Sequence, residues 1–83
     1  MNLESVEIRN NLRILRQQEG LSISELSRLS TVSEKTIRLL ERHYTNSRPE
    51  TKYKIVNGLN KNIDKLKEYT IDEVFPNGAF FNN

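Results

Sequence analysis

The sequence predicts an all-α fold of about five helices, the second and third joined as a helix-turn-helix, on three observations. The first is the stretch 21–42, LSISELSRLSTVSEKTIRLLER, in which two helix starts are written out in residues. Ser22 stands three residues before Glu25, the spacing at which a cap and a glutamate satisfy each other's backbone N–H groups. The second is apolar spacing of three and four along most of the chain, as one face of a helix requires. The third is size: 83 residues, 35% of them hydrophobic, fill one small helical core and little else.

Residues 1–4 read as a lead-in. A first helix is expected from residue 5 to about 19, with Ile8, Leu12 and Leu15 on one face and Glu7 early, Arg13 and Arg16 late, as the helix dipole prefers. Gly20 is its natural stop, since glycine takes the left-handed conformation without steric cost. A second helix follows at about 23–29, stapled by Leu21 and Leu26 on either side of Ser22. Ser33 repeats the device for a third helix at about 34–42, with Val32 and Ile37 at staple spacing. The intervening Leu29-Ser30-Thr31-Val32 is too short for anything but a reversal, and Leu26, Leu29, Val32, Ile37 and Leu40 converge on one core.

Residues 43–48 are polar and end at Pro49, a residue suited to the first turn of a helix. Tyr53, Val56, Leu59, Ile63 and Leu66 then recur at helical spacing, so one helix is expected over about 49–69, with a break near Asn57–Asn62 as the alternative because Gly58 weakens it by about 1 kcal/mol. Thr70 with Glu73 forms another capping box for a short last helix, which Pro76 ends. The domain is accordingly expected to span 1–76, with 77–83 as an aromatic tail.

The run LS..EL..LS.VS..TI..LE over residues 21–41 resembles the Cro- and phage-repressor-like (XRE) helix-turn-helix proteins. The likeness extends back to Leu12-Arg13 and Leu15-Arg16, and more loosely forward to Lys54-Ile55, Gly58-Leu59-Asn60 and Thr70-Ile71-Asp72-Glu73-Val74-Phe75. It implies a lambda-repressor-like domain that binds double-stranded DNA. It also implies a brace, since relatives pair an arginine late in helix one with a glutamate late in helix three; here these are Arg16 and Glu41.

A helix-turn-helix presents the start of its second helix to the major groove. The outer face there carries Ser33, Glu34, Lys35, Arg38 and Leu39, with Thr36 beside them. Lysine or arginine reads guanine, glutamate accepts from cytosine, and leucine packs on a thymine methyl. The resemblance places Glu34, Lys35 and Arg38 where relatives read bases. The bland reading is a solvated helix face, with Glu34 and Arg38 as an ordinary i,i+4 pair. Phosphate contacts are expected from Ser22, Thr36, Arg42, Tyr44, Asn46 and Arg48, which fix register without reading sequence. Arg13 and Arg28 are weaker candidates. His43 reads as a helix-end residue favoured by the dipole, having no second ligand nearby for a metal.

Three departures from the family pattern stand out. Ile23 replaces a polar residue, often glutamine, that donates to a phosphate. Thr31 stands where the turn usually has glycine, and a β-branched residue is poor at positive φ. The join at Arg48-Pro49-Glu50-Thr51 is about two residues short of the family norm.

Catalysis finds no footing: one histidine, no cysteine, no glycine-rich phosphate loop, so no enzyme activity and no cofactor are expected. A net charge of +2 says little about nucleic acid, because the placement of charge matters more than its sum. The expected function is a repressor-like DNA-binding regulator in a bacterial cytoplasm, from a phage, prophage or mobile element. The alternative is a protein-interaction module, such as an antitoxin or anti-repressor, acting through Ile23 and the tail. All three phenylalanines fall in the last nine residues. Leu66, Tyr69, Phe75, Phe80 and Phe81 are therefore candidates for a homodimer or partner surface, the other reading being that the three phenylalanines fold back to seal the base of the long helix.

Overall fold

The computed structural model describes residues 10–42 and 48–76. They form five helices and no strand: α1 (Leu12–Gln18), α2 (Ile23–Ser30), α3 (Glu34–Arg42), α4 (Pro49–Asn60) and α5 (Ile71–Val74).

Within the described residues α1 starts at Leu12; the part expected at 5–9 lies outside them. Asn10 and Asn11 are not helical because their side chains do other work. The Asn10 side chain accepts from Leu12 N–H and donates to the Leu40 carbonyl in α3. Asn11 donates its backbone N–H to Val74 and its side-chain amide to the Glu73 carbonyl, which ties the start of α1 to α5. The helix ends in a Schellman closure: Gly20 sits at φ +70°, its N–H bonded to the Gln17 carbonyl and that of Leu21 to Arg16.

The capping box at the start of α2 forms with both bonds in place, Glu25 N–H to Ser22 Oγ at 3.0 Å and Ser22 N–H to Glu25 Oε1 at 2.8 Å. Ser33 caps α3 by accepting from Thr36 N–H. Between them Thr31 adopts φ 61°, ψ 23°, the left-handed conformation that a threonine resists. The turn thus keeps the shape that glycine would give it and holds strain.

The fourth helix does not run on to residue 69 but takes the alternative, a break near Asn57–Asn62. It stops at Asn60, and Gly58 is not the cause, since it lies within the helix and is buried. The chain leaves because asparagine side chains capture backbone groups that a helix would use. Asn60 accepts from Tyr69 N–H at 2.7 Å and donates to its carbonyl at 2.9 Å, drawing the chain back across residues 61–68. Glu19 at the end of α1 fastens the same segment, accepting from Leu66 N–H, the Asn62 amide and the Tyr69 hydroxyl. The apolar face therefore changes. Ile55, Val56 and Leu59 enter the core, whereas Tyr53 points out and Ile63 and Leu66 are 88% and 72% exposed.

The core joins Leu12, Leu21, Leu26, Val32, Ile37, Leu40, Ile55, Val56, Leu59, Tyr69, Val74 and Phe75. Tyr69 and Phe75, expected as candidates for an assembly surface, are instead 4% and 2% exposed within this core. Phe75 takes the fold-back role, with the Lys52 ammonium 5.9 Å from its ring centre. Leu66 alone of the described candidates stays exposed; Phe80 and Phe81 lie outside the described residues.

Candidate nucleic-acid interface

The third helix is fixed from behind. Ile37 and Leu40 are buried, and Asn10 holds the Leu40 carbonyl. Arg16 grips Glu41 with two bonds, Nε to Oε2 at 2.6 Å and Nη2 to Oε1 at 3.0 Å, while Nη1 donates to the Leu21 carbonyl at 2.8 Å. The two side chains are only 11% and 4% exposed. The hydrogen bond that Arg16 donates to Glu41 raises the arginine's pKa, against the opposing effect of burial. One guanidinium thus joins α1, the α1–α2 corner and the end of α3, as the family pattern of brace implied.

What this leaves outward is one stripe. Lys35, Arg38, Leu39 and Arg42 are exposed, with Ser33 at the head of the helix and Glu34 and Thr36 at its edges, half-buried. Their spacing of three, four and seven residues from Lys35 keeps them on the face opposite Ile37 and Leu40. Glu34 and Arg38 meet at 3.2 Å in an exposed pair, an interaction of little value in water that a base edge can displace. Ser33 Oγ also donates to Thr36 Oγ1, which leaves Ser33 one acceptor lone pair and Thr36 its hydroxyl proton to offer. Since Arg16 neutralises Glu41, the cations Lys35, Arg42 and Arg48 have no carboxylate partner among the described residues. Lys35 and Arg42 put unneutralised positive charge along α3, and Arg48 adds another at the start of α4, all suited to phosphate oxygens.

Other expected contacts fall differently. Ser22 is exposed, with its oxygen occupied by Glu25 N–H, so only its hydroxyl proton is left to offer. Arg48 is exposed at the N-terminus of α4. Tyr44, Asn46 and His43 lie outside the described residues. Ile23 packs partly against the core and also lines a cleft with Arg13, Arg16, Arg38, Glu41 and Arg42, which sequence reasoning did not find. The one hint was Ile23 itself, an apolar residue in a place that favours a donor. No group of three or more metal-ligating side chains occurs among the described residues, and no described helix is long and apolar enough to cross a membrane.

Two short capped helices with an exposed cationic stripe on the second define a helix-turn-helix domain. Residues 12–66 match the family model described as helix-turn-helix. The chain belongs to that family, the Cro- and phage-repressor-like (XRE) type, whose domain is a DNA-binding regulatory one. No curated protein and no solved structure matches the chain.

Proposed function

We propose that the chain is a sequence-specific transcriptional regulator, repressor-like, that binds a double-stranded DNA operator with α3 in the major groove. The observation that carries this reading is the stripe of Lys35, Arg38, Leu39 and Arg42 on a helix braced from behind by Arg16 and Glu41. Ser33, Glu34, Lys35, Arg38 and Leu39 read bases; Ser22, Thr36, Arg42, Arg48 and the 43–47 segment, with Tyr44 and Asn46, hold phosphates. One such helix covers few base pairs, so the reading includes a homodimer on paired half-sites. A cytoplasmic setting and an origin in a phage, prophage or mobile element follow by analogy with the family alone.

Selection from a random duplex pool, followed by titration at several salt concentrations, tests the proposal. Lys35→Ala or Arg38→Ala should cost about 1–3 kcal/mol at the selected site and relax preference at one position. Arg48→Ala should weaken all sequences alike and flatten the salt dependence. A pool that yields no preferred sequence, or mutants that all lose affinity uniformly, would remove the base-reading assignment.

A further inference from the structure

The cleft between α1, α2 and α3 measures about 280 Å³ and combines two chemistries. Its lining is mostly cationic, with Arg13, Arg16, Arg38 and Arg42 beside Glu41 and Ile23. Glu41 is taken up by Arg16, Arg38 shares only an exposed contact with Glu34, and Arg13 and Arg42 have no ion pair among the described residues. Its wall at Ile23 is apolar and offers no donor. A phosphate group placed against Ile23 would lose water there and gain no hydrogen bond in return. A carboxylate beside an apolar side chain satisfies both parts: the acid meets Arg13 and Arg42, and the hydrocarbon covers Ile23.

We propose that this cleft docks an acidic segment of a protein partner, one that carries aspartate or glutamate next to a leucine- or phenylalanine-sized side chain. The charge complementarity is strong because Arg13, Arg38 and Arg42 line the cleft with no neutralising acid of their own among the described residues beyond Glu34. Arg38 and Arg42 belong both to this cleft and to the outward stripe of α3, so the bound segment and DNA exclude each other. The partner would then act as an antagonist of DNA binding. Only this last step rests on the DNA-binding reading; docking itself does not.

The test is a selection of short random peptides on the full chain, with affinities of the recovered peptides measured by fluorescence anisotropy in the absence of DNA. Peptides pairing Asp or Glu with Leu, Ile or Phe are expected. Arg13→Gln should weaken them about tenfold, as loss of a central anchor does. Replacing the peptide's apolar residue with serine, its charge unchanged, should weaken binding by a similar factor. Ile23→Gln should do the same; because Ile23 also packs on the core, a thermal melt accompanies it. Exposed Arg13 and the peptide-side change decide the matter if that variant unfolds. Recovered peptides without an acidic–apolar pair, or a serine version that binds as well, would overturn the proposal and leave a general cationic surface. So would undiminished binding to Arg13→Gln. A non-specific duplex is then added: displacement supports mutual exclusion, and a ternary complex overturns it. Failure of the chain to bind any DNA would sink the regulator reading while the peptide arms still stand.

Discussion

Gly58→Ala sets two effects of opposite sign against each other. By helix propensity alone, alanine inside α4 should stabilise the protein by about 1 kcal/mol. The packing says otherwise. A Cβ at position 58 would lie 2.6 Å from Ser30 Cβ, 2.8 Å from Ser30 Cα and 2.9 Å from Ser30 N. Ordinary carbon contacts begin near ~3.5 Å, so the overlap approaches one ångström and falls on backbone as well as side chain. Backbone cannot rotate aside; α2 and α4 would have to separate, and overpacking of this kind costs about 1–3 kcal/mol or more. With the clash at the upper end, the net expectation is destabilisation by about 1–2 kcal/mol. In a domain of this size that is a fall in Tm of roughly 5–15 °C. Thermal melts followed by circular dichroism read it directly. Ser30→Gly in the same chain should rescue only partly, because the clashes with Cα and N remain. A Gly58→Ala variant that melts above the parent would refute the close-packing argument.

Three further outcomes are expected. Thr31→Gly should raise stability by about 0.5–1 kcal/mol, since relief of the left-handed strain outweighs glycine's larger unfolded-state entropy; an unchanged or lower denaturation midpoint would show the strain to be negligible. Arg16→Ala strands the buried Glu41 carboxylate and should cost about 3–5 kcal/mol, whereas exposed Arg13→Ala should stay within about 0.5 kcal/mol in urea titrations; similar small effects for both would mean the brace contributes nothing. The Tyr69 hydroxyl is pushed up to about 12 by burial and by its bond to Glu19. A group with a raised folded pKa lends stability that is complete below its unfolded value of about 10 and is lost as pH rises from there through about 12, so melts across that window should show a loss that Tyr69→Phe abolishes.

The parts of the fold legible in the sequence are those that local chemistry decides. Ser22 with Glu25, Ser33, Gly20 and Thr70 with Glu73 each act within a few residues, and each stands where the pattern put it. Features decided by distant partners were not legible. Apolar spacing favours one helix out to about residue 69 over the break near Asn57–Asn62, and the break wins because Asn60 reaches Tyr69 and Glu19 reaches Leu66, long-range bonds that end the helix. The asparagines at 57, 60 and 62 were the available signal. Gly58 read as a weak point because its neighbour, Ser30, is far away in sequence. Phe75 could be read either as surface or as seal, and only the packing of α4 on α5 decides that it is core. The arginine cleft draws on three helices and had no local signature beyond Ile23.

These long-range features converge on how α3 is held. Gly58 lets α4 approach α2 closely at Ser30, and Ser30 Oγ in turn accepts from Val32 N–H at the entrance to α3. At the far end, Arg16 and Asn10 hold Glu41 and the Leu40 carbonyl. The helix is therefore positioned at both ends by contacts that none of its exposed residues makes. A surface presented this way loses little freedom on binding, which favours discrimination between ligands over mere attraction. The cations without a carboxylate partner among the described residues would alone bind any polyanion. The fixed geometry behind them is what the proposed reading of one DNA sequence needs, and it makes a strained Thr31 and a crowded Gly58 tolerable elements of the scaffold.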